Sequence, residues 1–385
     1  MPGMQKNTKR KGNEKMKEKL MKLPKWLVAV LGLVLVALFL LIMNGGGAVA
    51  ALVPAFRRGY TMQCIAEIVA AVYTLAMLFL FGYGRALKET GVGFVKGFYV
   101  GGFMTGYCFF AAVAMFYVQR MSGEMQVQSF GMILIYILTM FLVGLNEEVI
   151  VRGVVLNLLL DRFSNTRKGV LGAVLISSLI FGCAHIPNVF SGVPLSSALI
   201  QSVQATLLGV LFAAIYLRSG NLWICIILHA ATDFAGLMAS GIFGNGEMTD
   251  MIGNLSLINL VVTVPLFLVP CLVLLRKSKL EEIACRRRGE NVVPTVQEAE
   301  NTATVSLVLG VLSIVMGCSG YTLGIGVAGL LGAIVSKRMK PQENGVATAG
   351  MVVAIVGIVF SLLGIVFMMV MLPMMGDMQN MENFL

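Results

Sequence analysis

An all-α, polytopic transmembrane helical bundle is predicted by three properties of the 385-residue chain. Apolar runs of membrane-spanning length recur from Trp26 onward, 58% of the residues are hydrophobic against 12% charged, and the basic residues gather beside the runs. The first two exclude a soluble multidomain surface, as does a mean hydropathy of +0.87. They equally exclude collagen-like and disordered chains. Seven cysteines without a CxxC spacing, most of them inside apolar runs, read as small packing residues and not as a disulfide or metal framework.

A span needs roughly 20 apolar residues. That length gives eight core helices near 26–43, 63–83, 97–119, 129–160, 169–187, 195–217, 221–243 and 251–275. The first follows a basic segment, 1–25, with nine Lys or Arg against two Glu. Its 18 apolar or glycine residues exceed a secretory h-region, so it reads as a retained span despite the cleavage-like Ala48-Val49-Ala50. The core domain is 26–276. After it, 277–302 is polar and charged and reads as a linker. Residues 303–385 form a glycine-rich C-terminal module of two or three spans, whose small-xxx-small spacings permit close helix packing in lipid.

The net charge of +10 lacks the aromatic interleaving of a nucleic-acid surface. It reads as topology determinants and contacts to anionic lipid, with no nucleic-acid partner. A cytoplasmic N-terminus puts Arg85, Lys88, Lys96, Arg162, Arg167, Lys168, Arg218, the linker and Lys337 to Lys340 inside. Glu247, Asp250, Asp377 and Glu382 fall outside, and Arg57, Arg58 and Arg120 are exceptions. The expected location is the cell membrane, multi-pass.

A charge in hydrocarbon costs at least about 2.5 kcal/mol and so needs a partner or a purpose. Glu67, Glu147, Glu148, Arg152 and Asp233 lie inside predicted spans, and the two histidines, His185 and His229, sit among similar positions. Glu148 and Arg152 are i and i+4 on one helix face and can pair. Glu147, about 100° around the helix, has no sequence-local cation and is free for proton transfer. If the fourth and fifth helices form a hairpin centred near residue 166, Glu147 and His185 lie at one depth and could share a water. Phe181, a turn earlier, walls His185, and Pro187 ends or kinks the helix. His229 and Asp233 form a second i,i+4 patch. Counted from Asn221, His229 is only about 12 Å along its helix, which requires either a deep helix start or strong tilt.

Each feature has a structural explanation. Glu148 with Arg152 serves as glue between helices, a single intramembrane His is commonly a hydrogen-bond partner, the 26 Met are packing filler, and Glu67 near a span start is interfacial. Six polar groups on three helices, however, point to a shared cavity.

EExxxR at 147–152, FxxxH at 181–185 and HxxxD at 229–233 occur in this order on the fourth, fifth and seventh apolar segments. Together they resemble the CAAX prenyl protease and bacteriocin-processing (CPBP) family of intramembrane proteases, over roughly residues 20–276. The resemblance implies that Glu147 with His185 activates water for attack on a peptide carbonyl. It also implies that His229 and Asp233 stabilise the oxyanion, with Asp233 fixing the His229 tautomer, while Glu148, Arg152 and Phe181 are structural or positioning residues. The family has been described both as metalloproteases and as metal-free glutamate-type proteases. Glu147, His185 and His229 would be the ligands if Zn²⁺ were bound. A metal-free site is favoured, since there is no HExxH pair, and GxSxG and GxGD are absent as well. The implied partners are membrane lipids and a membrane-associated peptide such as a leader, a lipidated tail or a bacteriocin.

Two other classes use similar residues. A proton- or cation-coupled transporter would relay charge through the same groups, but no inverted repeat is evident in the core. A non-catalytic bacteriocin-immunity scaffold would keep the pocket without cleavage. Flux or cleavage sensitive to Glu147 and His185 separates them.

Overall fold

The computed structural model describes residues 22–88, 91–122, 126–163, 165–290, 296–315, 323–340 and 345–382. Most of the basic segment 1–25 therefore lies outside the described residues, as do the side chains of Asp377 and Glu382. Among those described the chain is helical without strands. Eight helices are long and apolar enough to cross a membrane: Lys25–Ala50, Thr61–Leu80, Gly102–Met121, Phe130–Arg162, Arg167–Ser191, Leu195–Ser219, Leu257–Leu274 and Gly345–Phe367. The chain is a multi-pass membrane bundle.

Two compact units emerge, Met1–Thr90 with Met115–Val292, and Gly91–Ala114 with Val293–Leu385. The predicted third span is thus shared between units. It forms as α3 (Gly91–Val100) and α4 (Gly102–Met121), interrupted at Gly101.

In the first unit, α1 (Lys25–Ala50) packs on α2 (Thr61–Leu80), with Gly46 admitting Ala66 and Val69. The predicted span 129–160 is not one α-helix. It runs as α5 (Phe130–Glu148), a π-helical segment Val149–Leu156, and α6 (Asn157–Arg162). Five of the eight π residues are β-branched and crowd an α-turn. The Asn157 amide donates to Arg152 O and Gly153 O, both at 3.0 Å, which supplies the widened ladder with donors. All eight π residues are buried, touched by α1, α2 and the three helices that follow: α7 (Arg167–Cys183), α8 (Leu195–Ser219) and α9 (Leu222–Gly236). Covered on every side, the segment lies at the centre of the first unit.

α7 ends at Cys183, two residues before His185, which begins a 3-10 turn through Pro187 to Ser191. Gly182 lets α7 approach α8, since a Cβ there would lie 2.5 Å from Ser202 O. The predicted span 221–243 breaks into α9 and α10 (Met238–Phe243). The Tyr136 hydroxyl donates to Phe234 O at 2.5 Å, taking the carbonyl that Met238 N–H would need for the helix to continue. The predicted 251–275 likewise starts as α11 (Met248–Gly253). It resumes as α12 (Leu257–Leu274) behind a Ser256–Asn259 capping box.

The stretch 277–302 is helical at both ends and not simply a linker. Within α13 (Lys277–Arg287), Leu280, Ile283 and Ala284 are buried, and Arg287 Nη2 meets Asp161 Oδ1 at 2.8 Å. The Tyr83 hydroxyl holds the other Asp161 oxygen at 2.8 Å.

The second unit packs α14 (Val296–Val315), α15 (Leu323–Met339) and α16 (Gly345–Glu382) on one another, with α3 against α15. Glycines give the close approach that their spacing predicts: a Cβ on Gly310 would meet Ala354 N at 2.9 Å, and one on Gly350 would meet Leu307 N at 3.0 Å. Ser336 Oγ adds a bond to Ala299 O at 2.7 Å.

Candidate active site

α5 is packed between α2 and α9. Gly144 permits the contact with α9, since a Cβ at that position would lie 2.7 Å from Ile226 O and 2.9 Å from Ala230 N. This backbone-to-backbone approach brings residues 147 and 148 to His229, one turn on.

Glu148 and Arg152 are 0% and 1% exposed and pair at 2.7 Å. The pairing survives the α-to-π transition. The same Glu148 oxygen also accepts from His229 Nδ1 at 2.7 Å. One carboxylate therefore joins the π segment to α9. The Arg152 guanidinium lies 4.6 Å from the Phe181 ring centroid and 5.5 Å from that of Phe212, so aromatic faces cover what Glu148 leaves. His229 is stacked on Phe212 at 5.2 Å and meets the edge of Phe181 at 5.9 Å. The imidazole is thereby fixed in both plane and rotation.

With Nδ1 on Glu148, His229 Nε2 faces Glu147 Oε2 and Asp233 Oδ2, each at 3.5 Å. The Glu147 and Asp233 side chains keep 20% and 27% exposure, against 4% for His229, so this face opens to a molecule approaching from outside. His185 is half-buried. Its Nδ1 lies 3.0 Å from Phe181 O, and since a carbonyl only accepts, Nδ1 carries the hydrogen and Nε2 is left as an acceptor. Its ring stands edge-on to Phe181 at 5.0 Å, the ring that also meets His229.

All seven site residues named from the sequence thus occupy one region, though one relation differs from the expectation. The imidazole meeting Glu147 directly is His229. The carboxylate on His229 Nδ1 is Glu148, where Asp233 was expected to fix the tautomer. Asp233, one turn further along the same helix, reaches only the outer nitrogen. The shallow position of His229 is explained by α9 itself: its N-cap Asn221 and first residue Leu222 are 0% exposed, so the helix starts inside the protein.

Glu67 faces the protein interior. It is 1% exposed and accepts from Gln63 Nε2 at 2.7 Å and Asn146 Nδ2 at 2.8 Å, next to Glu147. Sequence reasoning missed the pair because its members lie 79 positions apart. A polar Asn before two glutamates within an apolar span was the available signal. Among the described residues no group of three or more His, Cys, Asp or Glu is arranged to hold a metal ion.

No curated protein and no solved structure matches the chain. Residues 129–235 match the family model described as type II CAAX prenyl endopeptidase Rce1-like, and all three motifs lie within that stretch. The match covers 107 of the 385 residues; over that stretch, with its assembled motifs, the chain is similar to the CPBP family of intramembrane proteases, on a multi-pass membrane bundle.

Proposed function

We propose that the chain is a metal-independent, glutamate-type endopeptidase that cuts a membrane-associated peptide. Glu147 is the general base. It takes a proton from a water as the water oxygen attacks the scissile carbonyl carbon, and His185 Nε2 accepts the second hydrogen bond of that water. The carbonyl oxygen becomes an oxyanion facing His229. Protonated His229 donates from Nε2, because Nδ1–H is committed to Glu148. Asp233 holds that donor on the approach side. When the tetrahedral intermediate collapses, the C–N bond breaks and the proton on Glu147 passes to the leaving amine.

The observation that carries this reading is the disposition of His229: an anchored inner nitrogen and an outer nitrogen 3.5 Å from both Glu147 and Asp233. A buried orienting carboxylate behind an imidazole with the base in front is the arrangement that general acid–base chemistry requires. The substrate class that suits a site inside apolar helices is a leader, a lipidated tail or a bacteriocin-like peptide. We further propose a cell-membrane location with a cytoplasmic N-terminus, on the distribution of Lys and Arg.

The test is cleavage of a library of membrane-tethered peptides by the full chain in detergent or proteoliposomes. Wild type is expected to cut, and Glu147→Ala and His185→Ala to lose at least about 100-fold. Proton or ion flux abolished by the same changes, without cleavage, would establish transport instead.

A further inference from the structure

α2 contributes no residue to the chemistry above, yet it carries a buried carboxylate with complete hydrogen bonding. Asn146, 0% exposed, has every side-chain polar atom engaged by α2: Nδ2 donates to Glu67 Oε2 and to Glu67 O, both at 2.8 Å, and Oδ1 accepts from Thr74 Oγ1 at 3.0 Å. Glu67 and Thr74 are seven residues, two turns, apart and so share one face of α2. On its other side α5 is pressed to the α9 backbone at Gly144. Glu147 follows Asn146 directly, and the ladder widens to π from Val149. Any rotation of α5 that turned the Glu147 carboxylate from His229 would break three hydrogen bonds to Asn146.

From this geometry we infer that Glu67 is a positioning residue, which through Asn146 fixes the azimuth of Glu147 at the entrance to the π segment. The inference rests on the proposed role of Glu147 and extends it to a second helix. The chemistry explains why a carboxylate is needed. Gln63 and Asn146 both present amide N–H donors to the Glu67 side chain, and a carboxylate offers an acceptor to each. A glutamine offers one acceptor and one donor, and keeps Asn146 once the Gln63 amide turns to present its carbonyl. Glu67→Leu, with no acceptor, breaks the side-chain clamp at similar size. Asn146→Asp sets carboxylate against carboxylate. When Glu67→Gln and Asn146→Asp are combined, the side-chain pair is inverted but whole. The amide at position 67 then donates to the carboxylate at position 146, its carbonyl accepts from Gln63, and Thr74 keeps its acceptor; the carboxylate oxygen in place of Asn146 Nδ2 now faces the backbone carbonyl of residue 67, acceptor against acceptor, so the rescue is partial.

Four full-length proteins test this: wild type, Glu67→Leu, Asn146→Asp and the Glu67→Gln/Asn146→Asp double swap. Hydrogen exchange of peptides covering 144–156 is read alongside kcat and KM for the tethered peptide. Each single variant is expected to exchange at least fivefold faster in 144–156 than wild type, with the other helices unchanged. Each should also lose about tenfold in kcat with KM within twofold, as misplacement of a reacting group predicts. The double swap should recover part of both. Wild-type exchange in the singles, acceleration spread over the whole bundle, unchanged kcat, or a double variant no better than the singles would each overturn the inference. Absence of cleavage by wild type would overturn the protease reading alone, and exchange would still decide the clamp.

Discussion

Arg152 is a charge held in the driest part of the bundle, with one carboxylate and two aromatic faces as its surroundings. Removing one member of a buried ion pair typically costs about 3 to 5 kcal/mol, because the other charge is left uncompensated. Arg152→Ala should therefore lower thermal stability and yield in detergent as well as rate, and an inactive variant of normal stability would count against the structural role. Asp233 differs, being partly open and 3.5 Å from Nε2. An amide can hold the same position by hydrogen bonding, so Asp233→Asn is expected to keep cleavage within about tenfold and Asp233→Ala to lose about 100-fold, in the range typical of a lost polar contact to the developing charge. Equal losses would remove Asp233 from the oxyanion side. Chelation provides a third check at this scale: cleavage should continue in the presence of a zinc chelator, whereas a loss restored by added Zn²⁺ would end the metal-independent reading.

At the scale of elements, the separation of α5 and α9 sets the distance between base and imidazole, and Gly144 sets that separation. The Cβ of Gly144→Ala would come within 2.7 Å of Ile226 O, a backbone atom that cannot swing aside. The helices must part. A misplacement of about 1 Å can cost on the order of 100-fold in rate. Gly144→Ala is thus expected to reduce kcat by about 10- to 100-fold while the protein still purifies as a folded species, and a wild-type rate would show that the contact does not govern the chemistry. The π segment belongs to the same level. It begins directly after the two glutamates and still returns Arg152 to Glu148 at 2.7 Å.

For the molecule as a whole, the compact units do not follow chain order. Gly91–Ala114 belongs with Val293–Leu385, and within that unit α3 rests on α15, where Gly332 admits the Tyr99 ring. A chain truncated after Gly289 would leave α3 and the start of α4 without the helices they pack on. We expect such a truncation to fall several-fold in yield and to elute as aggregate on size exclusion. A monodisperse, fully active truncation would show that the C-terminal helices are a separable module, as the position of the polar stretch 277–302 suggested.

Much was determined by the sequence alone. Span length and the cost of charge in lipid dictated a helical membrane bundle, and i,i+4 spacing dictated the Glu148–Arg152 pair, because both depend only on local geometry and solvent. The same penalty on intramembrane charge selected Glu147, His185, His229 and Asp233. Tertiary structure decided what depends on residues far apart in the chain. It put His229 opposite Glu147, gave Glu148 to Nδ1, buried Glu67 against Asn146 and ended α9 through a Tyr136 bond. Those outcomes turn on helix azimuth and close backbone approach, which no periodicity records.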